Sequence, residues 1–367
     1  MKIERVELRI VQLPMIRSFA TSSSRKAEQR HVLVKIYADG VVGWGESASP
    51  FDPYYCEETT ETCWHILKDV LVPGLIGKEW SSVAEASATW AKVKRNGFAK
   101  AGLEIACWDA LAKAQGQPLH QMLGGTRSEI LSGVSLGVEE RIGDLFNQID
   151  QYLSEGYRRI KLKIAPGKDV AVVRQVRERY PDTPLMVDAN SAYTLADLAL
   201  LQELDQFDLM MIEQPLAHDD IIDHAQLQAV LRTPICLDES IHSVEDARKA
   251  IALKSGRIVN IKVSRVGGLG NAKRIHDYCA DHGVPVWCGG MHEFGIGRAA
   301  NVAIASLANY SIAGDVSGSD KYYAEDIVNP AITAENGAIA LPSAAGLGWD
   351  ADEARIAKAT IRELVIG

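Results

Sequence analysis

Five charged residues recur at nearly even intervals: Lys163, Asp188, Glu213, Asp238 and Lys262, spaced 25, 25, 25 and 24 residues apart. Each closes a short apolar run, in KLKI, MVDA, MIEQ, CLDE and NIKV. If the runs are neighbouring strands about 4.8 Å apart, three carboxylates converge at one level. Taken singly, each acid could cap the following helix or pair with a lysine. Three in one register repel one another, and a hard divalent cation removes that cost. Mg²⁺ suits the donor set, because it takes a few carboxylates and keeps places for water and substrate oxygens; Mn²⁺ is the natural substitute. Lysines flank the triad, Lys161 and Lys163 one strand before it and Lys262 one strand after. An ammonium close to other cations and partly out of water loses its proton more readily. Lys163, with Lys161 beside it, is therefore expected to serve as a base near neutral pH. A cation between two lysines suits abstraction of the proton next to a carboxylate, since both can offset the charge that develops. Acid and base on opposite faces give 1,1-proton transfer, and on one face syn elimination.

Such a constellation needs elements that repeat. From about Ser128 the runs ILSGVSLGV, RIKLKI, PLMVDAN, DLMMIEQP, PICLDES, RIVNIKVS, PVWCGGM and YSIAGDV alternate with amphipathic helical stretches. Alternation of this kind predicts a parallel sheet covered by helices. The even spacing favours closure into a (β/α)₈-type barrel with its site at the strands' C-terminal ends; a doubly wound open sheet is the alternative. In RIKLKI, Lys161 and Lys163 share one face and the aliphatic residues the other. Ser135 ends the first strand, Asn190 points to the same rim as Asp188, and Glu239 either supports the metal ligands or caps a helix. Gly267-Gly268-Leu269-Gly270 reads as turn chemistry, not as a phosphate loop.

The first third is mixed. KIERVELRIVQL predicts a strand, and HVLVKIYADG with VVGWGES a hairpin closed at Asp39-Gly40. PMIRSFATSSSRKAEQR reads as a long loop, with Phe19 and Thr21 expected over the barrel mouth, and residues 57–114 read as helical. The tail predicts an Asn-Gly turn in AITAENGAIALP and a terminal helix in DEARIAKATIREL. The expected division is residues 1–127 as an α+β cap, rejoined by 321–367, and residues 128–320 as the barrel.

The 367 residues are 47% hydrophobic and 24% charged, a globular balance with core to spare. A net charge of −9 argues against nucleic acid or an anionic membrane as partner, without preventing a local cationic site for a small-molecule carboxylate. No export signal or bilayer-length apolar run is seen. The six cysteines lack zinc spacing, which suits reduced thiols in a cytoplasmic protein.

Taken in order, KLK, MVDAN, IEQP, LDES and NIKVSRVGG, with WGES at 44–47, closely resemble the muconate-lactonising branch of the enolase superfamily. The likeness spans essentially the whole chain. It implies an α/β fold, a (β/α)₇β barrel with an α+β cap, and a homo-oligomer. It assigns Lys163 and Lys262 as the acid/base pair, Lys161 as their electrostatic neighbour, and Asp188, Glu213 and Asp238 as Mg²⁺ ligands. The stretch GGMHEFGIGRAANVAIASL with GDVSGSDKYYAEDI resembles the o-succinylbenzoate synthase / N-succinylamino acid racemase family. There Gly290 and Met291 would line the substrate pocket, and Arg265 resembles an arginine of the racemase-competent members. That family more often has Leu-Glu-Thr where this chain has His292-Glu293-Phe294. Dipeptide epimerases usually carry Asp-x-Asp on the eighth strand, and here Ser317 takes the second place. The resemblance implies dehydration of 2-succinyl-6-hydroxy-2,4-cyclohexadiene-1-carboxylate to 2-succinylbenzoate, with racemisation of N-succinylamino acids in addition. A muconate cycloisomerase or another epimerase is the alternative.

Overall fold

The computed structural model describes residues 1–20 and 25–367. Seven short parallel strands follow one another around a curved sheet in sequence order: Val134–Leu136, Ile160–Lys163, Leu185–Asp188, Ile212–Glu213, Ile235–Leu237, Ile258–Ile261 and Val286–Cys288. The eighth run, YSIAGDV, forms no full strand. It closes the ring through single bridges, Tyr310 to Val286 and Gly314 to Ser132. The gap is bridged by backbone bonds from Gly133 N to Gly314 O (2.7 Å) and from Asp315 N to Cys288 O (2.9 Å). The fold is thus a (β/α)₇β barrel with a cap.

Alternation along each strand sorts its side chains. Leu162, Val187 and Ile212 face outward into the helices. Met186, Met211, Cys236, Ile258 and Trp287 point inward and form a small apolar plug beneath the rim. The charged residues stand one step above that plug. Lys163 pairs with Asp188, and Asp188 with Glu213, but Glu213 pairs with Cys236. Asp238 therefore lies two residues further along its strand, as barrel strands tilted against the axis require.

The cap sheet is antiparallel, with Thr360–Ile366, Ile3–Ala20, Arg25–Ala38 and Val41–Ser47 adjacent in that order. Two expectations change here. Most of the stretch read as a long loop is strand, because Pro14 pairs with Glu28 and Phe19 with Lys26 in an extended ribbon; Thr21 lies outside the described residues. The terminal helix stops at Ala359, and TIRELVI continues as a strand on the open edge of Ile3–Ala20. Its β-branched residues suit that edge. The Asp39-Gly40 hairpin has both residues at positive φ, the geometry of a tight two-residue turn. Gly267 and Gly268 likewise have positive φ, in the turn before the Leu269–Asp281 helix.

One close contact holds the cap together, and a second ties it to the barrel. The Val41–Ser47 strand lies so close to the Gly97–Ala114 helix that a Cβ on Gly45 would stand 2.0 Å from the Gly102 carbonyl oxygen. Because backbone cannot yield as a side chain would, Gly45→Ala should lose about 1–3 kcal/mol of stability, read as a lower midpoint in urea. The second contact is Glu104, whose carboxylate accepts from Leu269 N at 2.5 Å and Gly270 N at 2.9 Å. Burial pushes its pKa up to about 7, against those two bonds. A carboxyl raised above its free value of 4.5 holds its proton longer folded than unfolded. Its contribution is therefore full below that value and is lost as pH rises towards 7, by at most about 1.4 kcal/mol per unit. Glu104→Gln should flatten the stability–pH curve between those limits.

Candidate active site

The second barrel strand carries two ammonium groups to the rim. Lys161 is 2% exposed, with Nζ 2.8 Å from Asp188 Oδ2, 2.6 Å from Glu213 Oε2 and 3.0 Å from Asp315 Oδ2. Burial opposes its charge, but Asp188, Asp315 and Glu213 outweigh it and hold its pKa well above the ordinary lysine value. Three carboxylates therefore claim Lys161, a set of partners that the sequence reading did not include. Lys163 Nζ donates to Asp188 Oδ2 at 2.6 Å and to Asn190 Oδ1 at 2.5 Å. One oxygen of Asp188 thus serves both lysines. Burial would raise the Asp188 pKa, yet the two lysines bring it below the usual value. Asn190, held at positive φ, donates from Nδ2 to Glu239 Oε1 at 3.0 Å. Burial and the Asp238 charge push Glu239 up to about 7.

Across the barrel, Lys262 Nζ lies 2.8 Å from Asp238 Oδ2 and donates to the Tyr55 hydroxyl at 3.0 Å. Burial again works against the charge, and Asp238 overcomes it, so the Lys262 pKa stands well above its ordinary value. Arg265 bonds Asp238 Oδ1 with Nη1 and the Asn260 carbonyl with Nη2. It sits behind Lys262 and is absent from the cavity wall. Second and sixth strands face each other in an eight-membered ring, so Lys163 and Lys262 approach one space from opposite sides.

That space is a cavity of about 480 Å³. Of the residues expected from sequence, Phe19, Ser135, Lys161, Lys163, Asn190, Glu239, Lys262, Gly290 and Met291 line it. Asp188, Glu213 and Asp238 lie just beneath, almost fully buried. His292, neutral because burial drives its pKa well below the usual value, stands edge-on to Phe19 at 4.6 Å and beside Tyr322 at 4.9 Å. Phe294 faces away, buried against His31 and Tyr323. Their loop is fastened from the cap by Glu46, which accepts from Phe294 N at 2.8 Å and Gly297 N at 2.7 Å.

Sequence reasoning missed Tyr55, Asn260 and Asp315. Asn260 was in reach, two residues before Lys262 on the same strand face; its Nδ2 donates to Glu213 Oε1 at 2.8 Å. Asp315 lay in the GDVSGSD segment already noted. Tyr55 comes from a cap loop with no periodic signal.

Among the described residues, no three acidic, histidine or cysteine side chains form a closed metal shell. Lys161 stands between Asp188 and Glu213, while Lys262 and Arg265 hold Asp238. The donor set nevertheless fits a hard cation. Glu213 and Asp238 each have one oxygen fixed by a neutral or cationic side chain, and the other, Glu213 Oε2 or Asp238 Oδ2, buried with a lysine ammonium as its neighbour. Three buried carboxylates gathered at one level are an all-oxygen set, which is what Mg²⁺ prefers.

The family description "Mandelate racemase / muconate lactonizing enzyme, N-terminal domain" matches residues 5–124, and "Enolase C-terminal domain-like" matches residues 144–355. The chain belongs to the enolase superfamily. Within the superfamily it is 53% identical to an o-succinylbenzoate synthase of Geobacillus kaustophilus, over 98% of this chain and 96% of that one. It is 44% identical to an N-succinylamino acid racemase of Thermus thermophilus, over 95% and 94%. A crystal structure of an enolase-superfamily member from Listeria innocua superposes with a TM-score of 0.97 at 40% identity, over 100% of this chain and 99% of that one. No helix among the described residues is long and apolar enough to cross a membrane.

Proposed function

We propose that this enolase-superfamily chain is a Mg²⁺-dependent o-succinylbenzoate synthase that also racemises N-succinylamino acids. The observation that carries the reading is the pair of lysines facing one cavity from opposite strands above three buried carboxylates. Full-length likeness to proteins bearing both names supports it. Asp188, Glu213 and Asp238 would hold the ion, whose positive charge would offset the negative charge gathering on the substrate carboxylate.

Lys163, as the free amine, takes the proton α to the carboxylate. In the dehydration the same nitrogen returns that proton to the departing hydroxyl on the same face, and Lys262 stays an ammonium that steadies the enediolate from the other side. In racemisation Lys262 gives its proton to the opposite face, and the roles exchange for the other enantiomer. Asp188 and Asn190 aim Lys163, and Asp238 and Tyr55 aim Lys262.

Dipeptide epimerisation is disfavoured by Ser317. It is fully buried, and its hydroxyl donates to the Gly133 carbonyl, so it offers no carboxylate to a substrate amine. The test is an assay of the purified chain with Mg²⁺ against the cyclohexadiene precursor and a panel of N-succinylamino acids. Turnover of the precursor is expected, and no turnover of either class would overturn the reading.

A further inference from the structure

Beside the catalytic cavity lies a second one of about 390 Å³, and Phe19, Ser135 and Tyr322 line both. Lys321 lines the second cavity. Its Nζ donates to the Ser135 backbone oxygen at 2.9 Å and lies 5.0 and 5.3 Å from the ring centres of Tyr322 and Tyr152. Among the described residues no carboxylate comes within 4.0 Å of that nitrogen, and Thr21–Ser24 carry none in their sequence. One carbonyl satisfies only one of the three donors of an ammonium. Glu139 also lines the cavity, but Gln148 Nε2 donates to it at 2.9 Å. Lys26, a cation on the cap side of the catalytic cavity, is already matched by Asp52 at 3.3 Å. Lys321 is therefore a half-buried cation beside the reaction space with no acid of its own.

We propose that Lys321 takes the second carboxylate of a dicarboxylate substrate, whose arm passes Ser135 and Tyr322 into this side cavity while the reacting carboxylate stays between the catalytic lysines. The assignment rests on the function proposed above and adds the residue that reads the succinyl end. Burial, opposed by Asp315 and reinforced by Arg159, Arg298 and Lys161, draws the Lys321 pKa down to about 7, and an entering anion relieves that cost. A bond between an ammonium and a carboxylate is among the stronger kinds, and its loss is worth about tenfold to a hundredfold in affinity.

The test compares N-succinylglycine with N-butanoylglycine, which has a methyl in place of the distal carboxylate, by calorimetric titration in the presence of Mg²⁺. Wild type should bind the succinyl compound at least tenfold more tightly. That preference should collapse in Lys321→Met and Lys321→Gln and persist in Lys321→Arg. Equal binding of the two compounds by wild type, or an undiminished preference in the folded Met or Gln variant, overturns the proposal. Equal binding by wild type overturns the proposal even if a variant fails to fold. Loss of preference in an enzyme that turns over neither substrate class would keep the subsite and remove the reaction. Turnover with preference unaffected by Lys321→Met would do the reverse.

Discussion

Lys262→Ala is expected to abolish racemisation of N-succinylamino acids, by about 10²–10⁴-fold, the range for a positioned acid or base. The side chain faces the cavity from the sixth strand, and among the described residues no other lysine reaches the cavity from that strand. Proton exchange separates its role from that of Lys163. In D₂O, the variant should still exchange the α-proton of the enantiomer that presents it to Lys163 and should lose exchange from the other. Dehydration should fall less, because there Lys262 offsets charge without moving a proton. Nuclear magnetic resonance of the α-proton together with polarimetry reads all three, and wild-type racemisation by Lys262→Ala would sink the assignment. Lys163→Ala should remove both reactions, since one nitrogen takes the proton and returns it.

Asp238→Ala should be the most destabilising change in the site. The carboxylate is fully buried and stands between two cations that have little other compensation, Lys262 and Arg265. Removing one partner of a buried ion pair leaves the other charge uncompensated, at a cost of roughly 3–5 kcal/mol. Urea unfolding should show a lower midpoint. Wild type should also gain thermal stability on addition of Mg²⁺, as any protein does from a ligand bound only when folded, and the variant should gain much less. A variant as stable as wild type and equally protected by Mg²⁺ would remove Asp238 from the proposed ligand set.

The charged rim was legible because chemistry and periodicity coincide there. A βα unit that repeats every 25 residues returns each strand end to one side of the sheet, so residues far apart in sequence fall together without knowledge of any contact. Lys161 shows where that reasoning stopped. Alternation placed it on the inner face, correctly, but its partners Glu213 and Asp315 lie on other strands, the latter from a segment that forms only isolated bridges. The cap was harder. PMIRSFATSSSRKAEQR lacks the alternation of a buried strand because much of its ribbon is solvated, so pairing across the hairpin, not burial, makes it a strand.

The sequence by itself determined the barrel, the five charged rim positions and their facing direction, since strand alternation and unit length are local and repeat. The tertiary structure alone decided which charges neutralise which. It put Arg265 behind Lys262 instead of on the cavity wall, brought Tyr55 from the cap onto Lys262, and left Lys321, beside a second cavity, with no carboxylate of the described residues within 4.0 Å. Charge pairing in a low-dielectric interior depends on separations of a few ångströms, and those distances are fixed by how strands and cap loops pack, which no run of residues states.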